Sequence, residues 1–226
     1  MINKRWMTLV VLLAAGGAYA LDAPFWIGIK DPAWNEMYPT RVQAMQTKGD
    51  AVHGEAKFVV CQGCHHAAAA GEVDGSYSSL AGQHVSVLIK QMTDIQTERR
   101  YDPRMQSLVY LHEVLPQHVA DIAAYLHGLP ATVNHGKGPG DKLQHGKSLY
   151  MHDCASCHGS KGEGSDEKYY PRVSGQHFKF LERESLTIRN GKRRNAHPDM
   201  VHAIKHYTDE DIAAVADYMS RLPVKP

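Results

Sequence analysis

Cys61-Gln62-Gly63-Cys64-His65 and Cys154-Ala155-Ser156-Cys157-His158 place all four cysteines of this 226-residue chain in two copies of one pattern, Cys-x-x-Cys-His. Two thiols at this spacing can each form a thioether to one vinyl group of a single porphyrin, and the next residue then lies beneath the ring as an iron ligand. The pattern predicts two covalently bound haem c groups, one on Cys61 and Cys64 and one on Cys154 and Cys157. His65 and His158 are the expected proximal ligands. A zinc ribbon would bring the pairs within roughly 15–20 residues of each other and has no use for the histidines. A thioredoxin-like pair would sit near a βαβ pattern, which is missing. Disulfides would leave both histidines unexplained.

The sixth iron position decides the chemistry. A thioether raises the potential, whereas an open position permits binding or catalysis. Met105 in Asp102-Pro103-Arg104-Met105 and Met200 in His197-Pro198-Asp199-Met200 are the expected ligands, each two residues after a proline and ahead of the last helix of its half. The alternative for a methionine is flexible core filling, which suits Met92 and Met219 in their helical apolar stripes. The chain has fifteen histidines. Of those outside the motifs, His66, His84, His112, His118, His127, His177, His202 and His206 read as surface or packing residues. His84 and His177 recur, but well before the methionines.

The elements that must position these residues are duplicated. Tyr77-Ser78-Ser79-Leu80-Ala81-Gly82-Gln83-His84 matches Tyr170-Pro171-Arg172-Val173-Ser174-Gly175-Gln176-His177. Tyr125 and Tyr218, and Leu129-Pro130 and Leu222-Pro223, recur at the same offset as the cysteines. Each half reads as helical. Val85, Leu88, Ile89, Met92 and Ile95 share one face; Thr208 caps a helix carrying Ile212, Val215, Ala216 and Met219; and a helix through Ile122, Ala123 and Leu126 ends at Gly128. No long alternating run argues for strands. The expected fold is all-α, with a first domain over 51–133, a Gly/Pro-rich linker over 134–140 and a second domain over 141–226.

At the N-terminus, Lys4 and Arg5, the apolar run Trp6 to Ala15 and Ala18-Tyr19-Ala20 read as a cleavable signal peptide over 1–20, which predicts export. Residues 21–50 have no counterpart in the second half. With Phe25, Trp26, Trp34 and Tyr38 beside Pro24, Pro32 and Pro39, they read either as a strap across the first domain or as a partner-docking arm. Residues 21–134 hold 8 Lys and Arg against 12 Asp and Glu, and residues 135–226 hold 15 against 12. This polarity can steer a charged redox partner; equally, it can be solvated surface. Nothing resembles a nucleic-acid groove. Arg99-Arg100 and Arg193-Arg194 are candidate partners for haem propionates, surface exposure being the alternative.

The ordered motifs over residues 50–226 resemble the di-haem cytochrome c4 family, each half being similar to a class I cytochrome c. The resemblance implies two all-α haem domains about a pseudo-twofold axis. It also implies a periplasmic electron carrier with redox protein partners, serving respiratory oxidases and associating loosely with a membrane-bound respiratory complex. In the family a proline carbonyl ahead of the Gly-Gln block holds the proximal histidine. Pro171 matches that role for His158, while Ser78 stands at the first-half position, so the two haems are expected to differ in potential. Three functions compete. The first is a one-electron relay, with no catalysis. The second is a cytochrome subunit of a periplasmic flavin-, quinone-cofactor- or sulfur-oxidising dehydrogenase. The third is a di-haem peroxidase or thiosulfate-oxidising enzyme; a peroxidase needs an open site, and a Cys-ligated haem needs a fifth cysteine.

Overall fold

The computed structural model describes residues 34–224. The export signal and the residues Pro24, Phe25, Trp26 and Pro32 lie outside the described residues. Among the described residues there are eleven α-helices and no strand, only the isolated bridge Ser165–Tyr170. None of these helices is long and apolar enough to cross a membrane.

The first half runs through α1 (Pro39–Gln46), α2 (Ala51–Phe58), α3 (Gln62–His65), α4 (Val85–Gln96), α5 (Pro103–Leu111) and α6 (Pro116–Gly128). The second runs through α7 (Leu143–Leu149), α8 (Ala155–His158), α9 (Phe178–Arg189), α10 (Pro198–Ile204) and α11 (Asp209–Ser220). The expected helix over Val85–Ile95 is α4. Gly128 ends α6, and Thr208 caps α11, its side chain accepting from the Asp211 N–H. In each half the helix before the motif crosses the last helix at a glycine. A Cβ at Gly54 would collide with the Asp121 carbonyl, and one at Gly146 with the Ala214 carbonyl. Beside each crossing two aromatics meet, Phe58 with Tyr125 at 5.7 Å and Tyr150 with Tyr218 at 5.5 Å.

From Gly54 to Cys61 is seven positions, and from Gly146 to Cys154 is eight. The second half absorbs its extra residue in a π-turn, Tyr150–Cys154, where the first has a 3₁₀ turn, Val59–Cys61. A wider turn of this kind takes in one residue and leaves the motif helix beyond it in register.

The halves meet through the repeated block itself. Gln83 Nε2 donates to the Arg172 carbonyl (3.0 Å) and its Oε1 accepts from the Arg172 N–H (2.9 Å). Gln176 does the same with Ser79, at 2.9 and 3.0 Å. His84 Nε2 donates to the Glu163 carbonyl at 2.7 Å, and His177 Nε2 to the Ala70 carbonyl at 2.8 Å. Each contact maps onto another by exchange of halves, which is the signature of a twofold, self-complementary interface. The segment 134–140 is docked on the second half: Gly136 O accepts from Phe178 N (2.8 Å) and Gly140 N donates to Asp217 (2.6 Å).

Candidate haem sites

Both motifs end in a short helix, α3 or α8, that aims the histidine inward. The His65 Nδ1–H donates to the Ser78 carbonyl at 3.0 Å, and the His158 Nδ1–H to the Pro171 carbonyl at 2.9 Å. A carbonyl can only accept, so each proton is fixed on Nδ1 and the Nε2 lone pair is left for a metal. No hydrogen bond of the described residues engages either Nε2. Burial lowers the pKa of both imidazoles, which favours the neutral, ligating form. Asp102 and Arg100 also act on His65, in opposite directions, whereas no charged group is felt at His158.

None of the four cysteines is tied up in a disulfide, which leaves both pairs for thioethers. Burial pushes Cys61 up to about 11 and Cys154 up to about 12, so neither is poised as a thiolate redox pair. A neutral thioether carries no such ionisation penalty, and the donor set therefore fits covalent haem. The hydroxyl of Tyr77 is held protonated by a hydrogen bond to the Cys64 sulfur, and that of Tyr170 by burial and then by Cys157. Tyr77 and Tyr170 thus mark the second thiol of each motif.

Met105 and Met200 each occupy the third position of a short helix opened by proline, α5 and α10. Asp102 caps α5 by accepting from the Met105 N–H at 3.2 Å; His197 Nδ1 caps α10 by accepting from the Asp199 N–H at 3.0 Å. Met105 packs against the apolar cluster that contains Cys61. Cys154 belongs to one apolar cluster and Met200 packs against another, and Tyr207 joins the two by packing on both.

The Arg pairs read from the sequence are engaged with protein. Arg99 pairs with Glu36, Arg100 and Arg193 share Glu184, and Arg194 donates to the Glu98 carbonyl. Arg172 is the contrasting case: its buried Nε has no partner, and its guanidinium lies against Gly82 at the seam between the halves. An unpaired buried donor of this kind has room for an acceptor, and a guanidinium pairs most strongly with an anionic one. His84 and His177, read from the sequence as surface or packing residues, pack between the halves, and Gln83 and Gln176, given no role there beyond the repeat, join them.

Residues 141–219 match the family model described as cytochrome C oxidase, cbb3-type, subunit III. Cytochrome c4 of Azotobacter vinelandii is 30% identical over 191 residues, covering 77% of this chain and 90% of that protein. The chain belongs to the cytochrome c4 family. It is accordingly a di-haem electron-transfer protein with two covalent haem c groups. The crystal structure of reduced recombinant cytochrome c4 from Pseudomonas stutzeri superposes with a TM-score of 0.70 at 26% identity, covering 77% of this chain and all of that one. A thiosulfate dehydrogenase electron acceptor from Stutzerimonas stutzeri is 26% identical, over 81% of this chain and 87% of that protein.

Proposed function

We propose that His65 with Met105, and His158 with Met200, supply the axial ligands of the two haems, and that this member of the cytochrome c4 family relays single electrons between periplasmic redox proteins without catalysing a reaction of its own. The observation that carries the reading is the paired restraint of the two histidines, each with Nδ1 fixed by a carbonyl thirteen residues on and Nε2 unengaged. Bound haem supplies the reversible one-electron couple. The chain holds the ligands, excludes water from buried His158 and fixes the tautomer of each imidazole. Arg172, with its unpartnered Nε, is the residue that would receive a propionate. Held by imidazole and thioether together, each haem would keep no position open to substrate, which argues against peroxidase chemistry. Domains over 51–133 and 141–226, joined at 134–140, carry one haem each. The signal read at 1–20 supports a periplasmic location.

A spectroelectrochemical titration of the holoprotein tests the ligand set. Two high-potential steps, each losing the methionine-to-ferric charge-transfer band on reduction, are expected. A low-potential or high-spin step at either haem would overturn it. A second reading, as the dedicated acceptor of a periplasmic dehydrogenase, is favoured by the similarity to a thiosulfate dehydrogenase electron acceptor. Stopped-flow mixing with a reduced thiosulfate dehydrogenase separates the two: fast, saturable reduction supports the dedicated role.

A further inference from the structure

The N-terminal segment reaches past the first half. Trp34 packs edge-on against His197 with centroids 4.5 Å apart, and His197 packs in turn against Tyr170 at 5.8 Å. His197 is the residue that caps α10, the helix that carries Met200 at its third position. Two residues earlier, Asn195 is almost fully buried and donates to Asp94 Oδ2 at 2.7 Å and to Gln91 at 3.1 Å, both on α4 of the first half. The start of α10 is thus gripped from outside its own domain on two sides.

The strap that delivers Trp34 is itself firmly anchored. Arg41 on α1 is fully buried and ion-paired with Asp94, Tyr38 donates to the same carboxylate at 3.1 Å, and Lys90 donates to it at 2.6 Å. Lys90 Nζ also lies over the Trp34 ring, 4.6 Å from its centroid. One carboxylate, Asp94, therefore joins the strap, α4 and the approach to α10. In the first half the corresponding cap, Asp102, bonds the Met105 N–H directly, with no aromatic bridge to it from the other domain among the described residues.

We propose that Trp34 is a positioning residue for the second haem: by holding His197 it fixes the first turn of α10 and the placement of Met200, so the N-terminal strap sets the potential of one haem and not the other. This rests on the reading of Met200 as a sixth ligand. The protein's levers on a haem potential include the axial ligand and the geometry imposed on it, and a cap residue controls the direction in which the first turn leaves.

The test uses the full-length holoprotein with Trp34→Ala and Trp34→Phe, titrated spectroelectrochemically beside Met200→Ala. Met200→Ala identifies the step that belongs to the second haem; if it abolishes neither charge-transfer band, the ligand reading fails and the strap proposal falls with it. With the step identified, Trp34→Ala should displace that step and weaken its band while the other step stays in place. Trp34→Phe, which keeps an aromatic ring against His197, should return the step most of the way. No displacement, or an equal displacement of both steps, would overturn the proposal. Should Trp34→Ala bind only one haem, Trp34→Phe decides alone: a smaller shift confined to the second step supports positioning, and two unshifted steps refute it.

Discussion

The two halves carry the same motif on the same helical frame, yet differ in how much of the frame relaxes without help. The residue after each motif leaves its short helix with φ positive and ψ near 160°. In the second half that residue is Gly159 (φ 78°, ψ 158°), and in the first it is His66 (φ 63°, ψ 161°). This region is open to glycine and strained for any other residue. His66 is held there with its Nε2 bonded to Glu72 at 2.6 Å. The carbonyl that fixes the motif histidine comes from Pro171 in one half and Ser78 in the other. The middle helices diverge further. α9 buries Phe178, Leu181, Ser185 and Ile188 along one stripe, whereas α4 is buried on nearly every side, including Lys90, Thr93 and Asp94, because α1 covers the face that α9 leaves open. The first haem domain is the more strained, and it is the one the extra N-terminal segment encloses.

The largest way to break the comparison is to remove one thioether from each half in turn. Cys64→Ser and Cys157→Ser should each lower covalently attached haem, read by intact-mass spectrometry and by haem absorbance per chain. The loss should be heavier in the first half, where His65 is less enclosed than His158. Equal loss would show that the strain does not reach haem retention. Next in size, His66→Gly should stabilise the protein by about 1 kcal/mol, since a non-glycine residue in this region costs about 1–3 kcal/mol and the Glu72 bond is forfeited. The corresponding Gly159→His should destabilise, in part because a Cβ there would strike Glu163. Denaturant unfolding of the holoproteins measures both.

Lys90 gives a pH signature that only the first half can show, because its counterpart, Arg183, lies more exposed and bonds the Gly75 carbonyl. Burial and the guanidinia of Arg41, Arg193 and Arg100 push the Lys90 pKa down to about 6, against the pull of the Asp94 carboxylate. A lysine whose folded pKa lies below its unfolded value leaves the unfolded chain with more bound protons between the two. Stability attributable to Lys90 therefore rises with pH from about 6 towards roughly 10. Lys90→Met leaves Asp94 bonded to Arg41, Tyr38 and Asn195. It should stabilise at pH 7 by on the order of 1 kcal/mol, with a gain that fades by pH 10. A gain independent of pH would mean that Lys90 titrates normally in its site.

Much of this was legible because duplication turns one sequence into two readings of the same constraint. The motifs, the capped start of α11, the stripe of α4 and the Gly128 stop each arise from spacing and local chemistry, and all appear as expected. Met105 and Met200 stand out in the sequence by shared context, but their placement in the first turns of helices does not, since helices of seven to nine residues leave almost no periodicity to read. The interface was hidden for a different reason. Gln83, His84, Gln176 and His177 are polar residues that ordinarily face water, and only the packing of one half on the other supplies their carbonyl partners. The carboxylate partners of the Arg pairs, Glu36 and Glu184, depend on long-range placement that spacing does not encode, and so does the buried Nε of Arg172 that has no partner among the described residues.

The finest test moves one residue of the second half into the first. The Ser78 N–H makes no hydrogen bond among the described residues, so Ser78→Pro loses no donor, and the matching block already accepts Pro171 in the equivalent turn. Fixing φ there restricts the unfolded chain and should add about 0.4–1 kcal/mol to stability. The same stiffening should steady the carbonyl that holds His65 Nδ1 and draw the two midpoint potentials closer together, read as a narrower separation in protein-film voltammetry. If stability rises while the separation stays fixed, the Ser78–Pro171 difference does not tune the haems. The charged neighbours of His65, Asp102 and Arg100, would then be the groups that distinguish the first iron from the second.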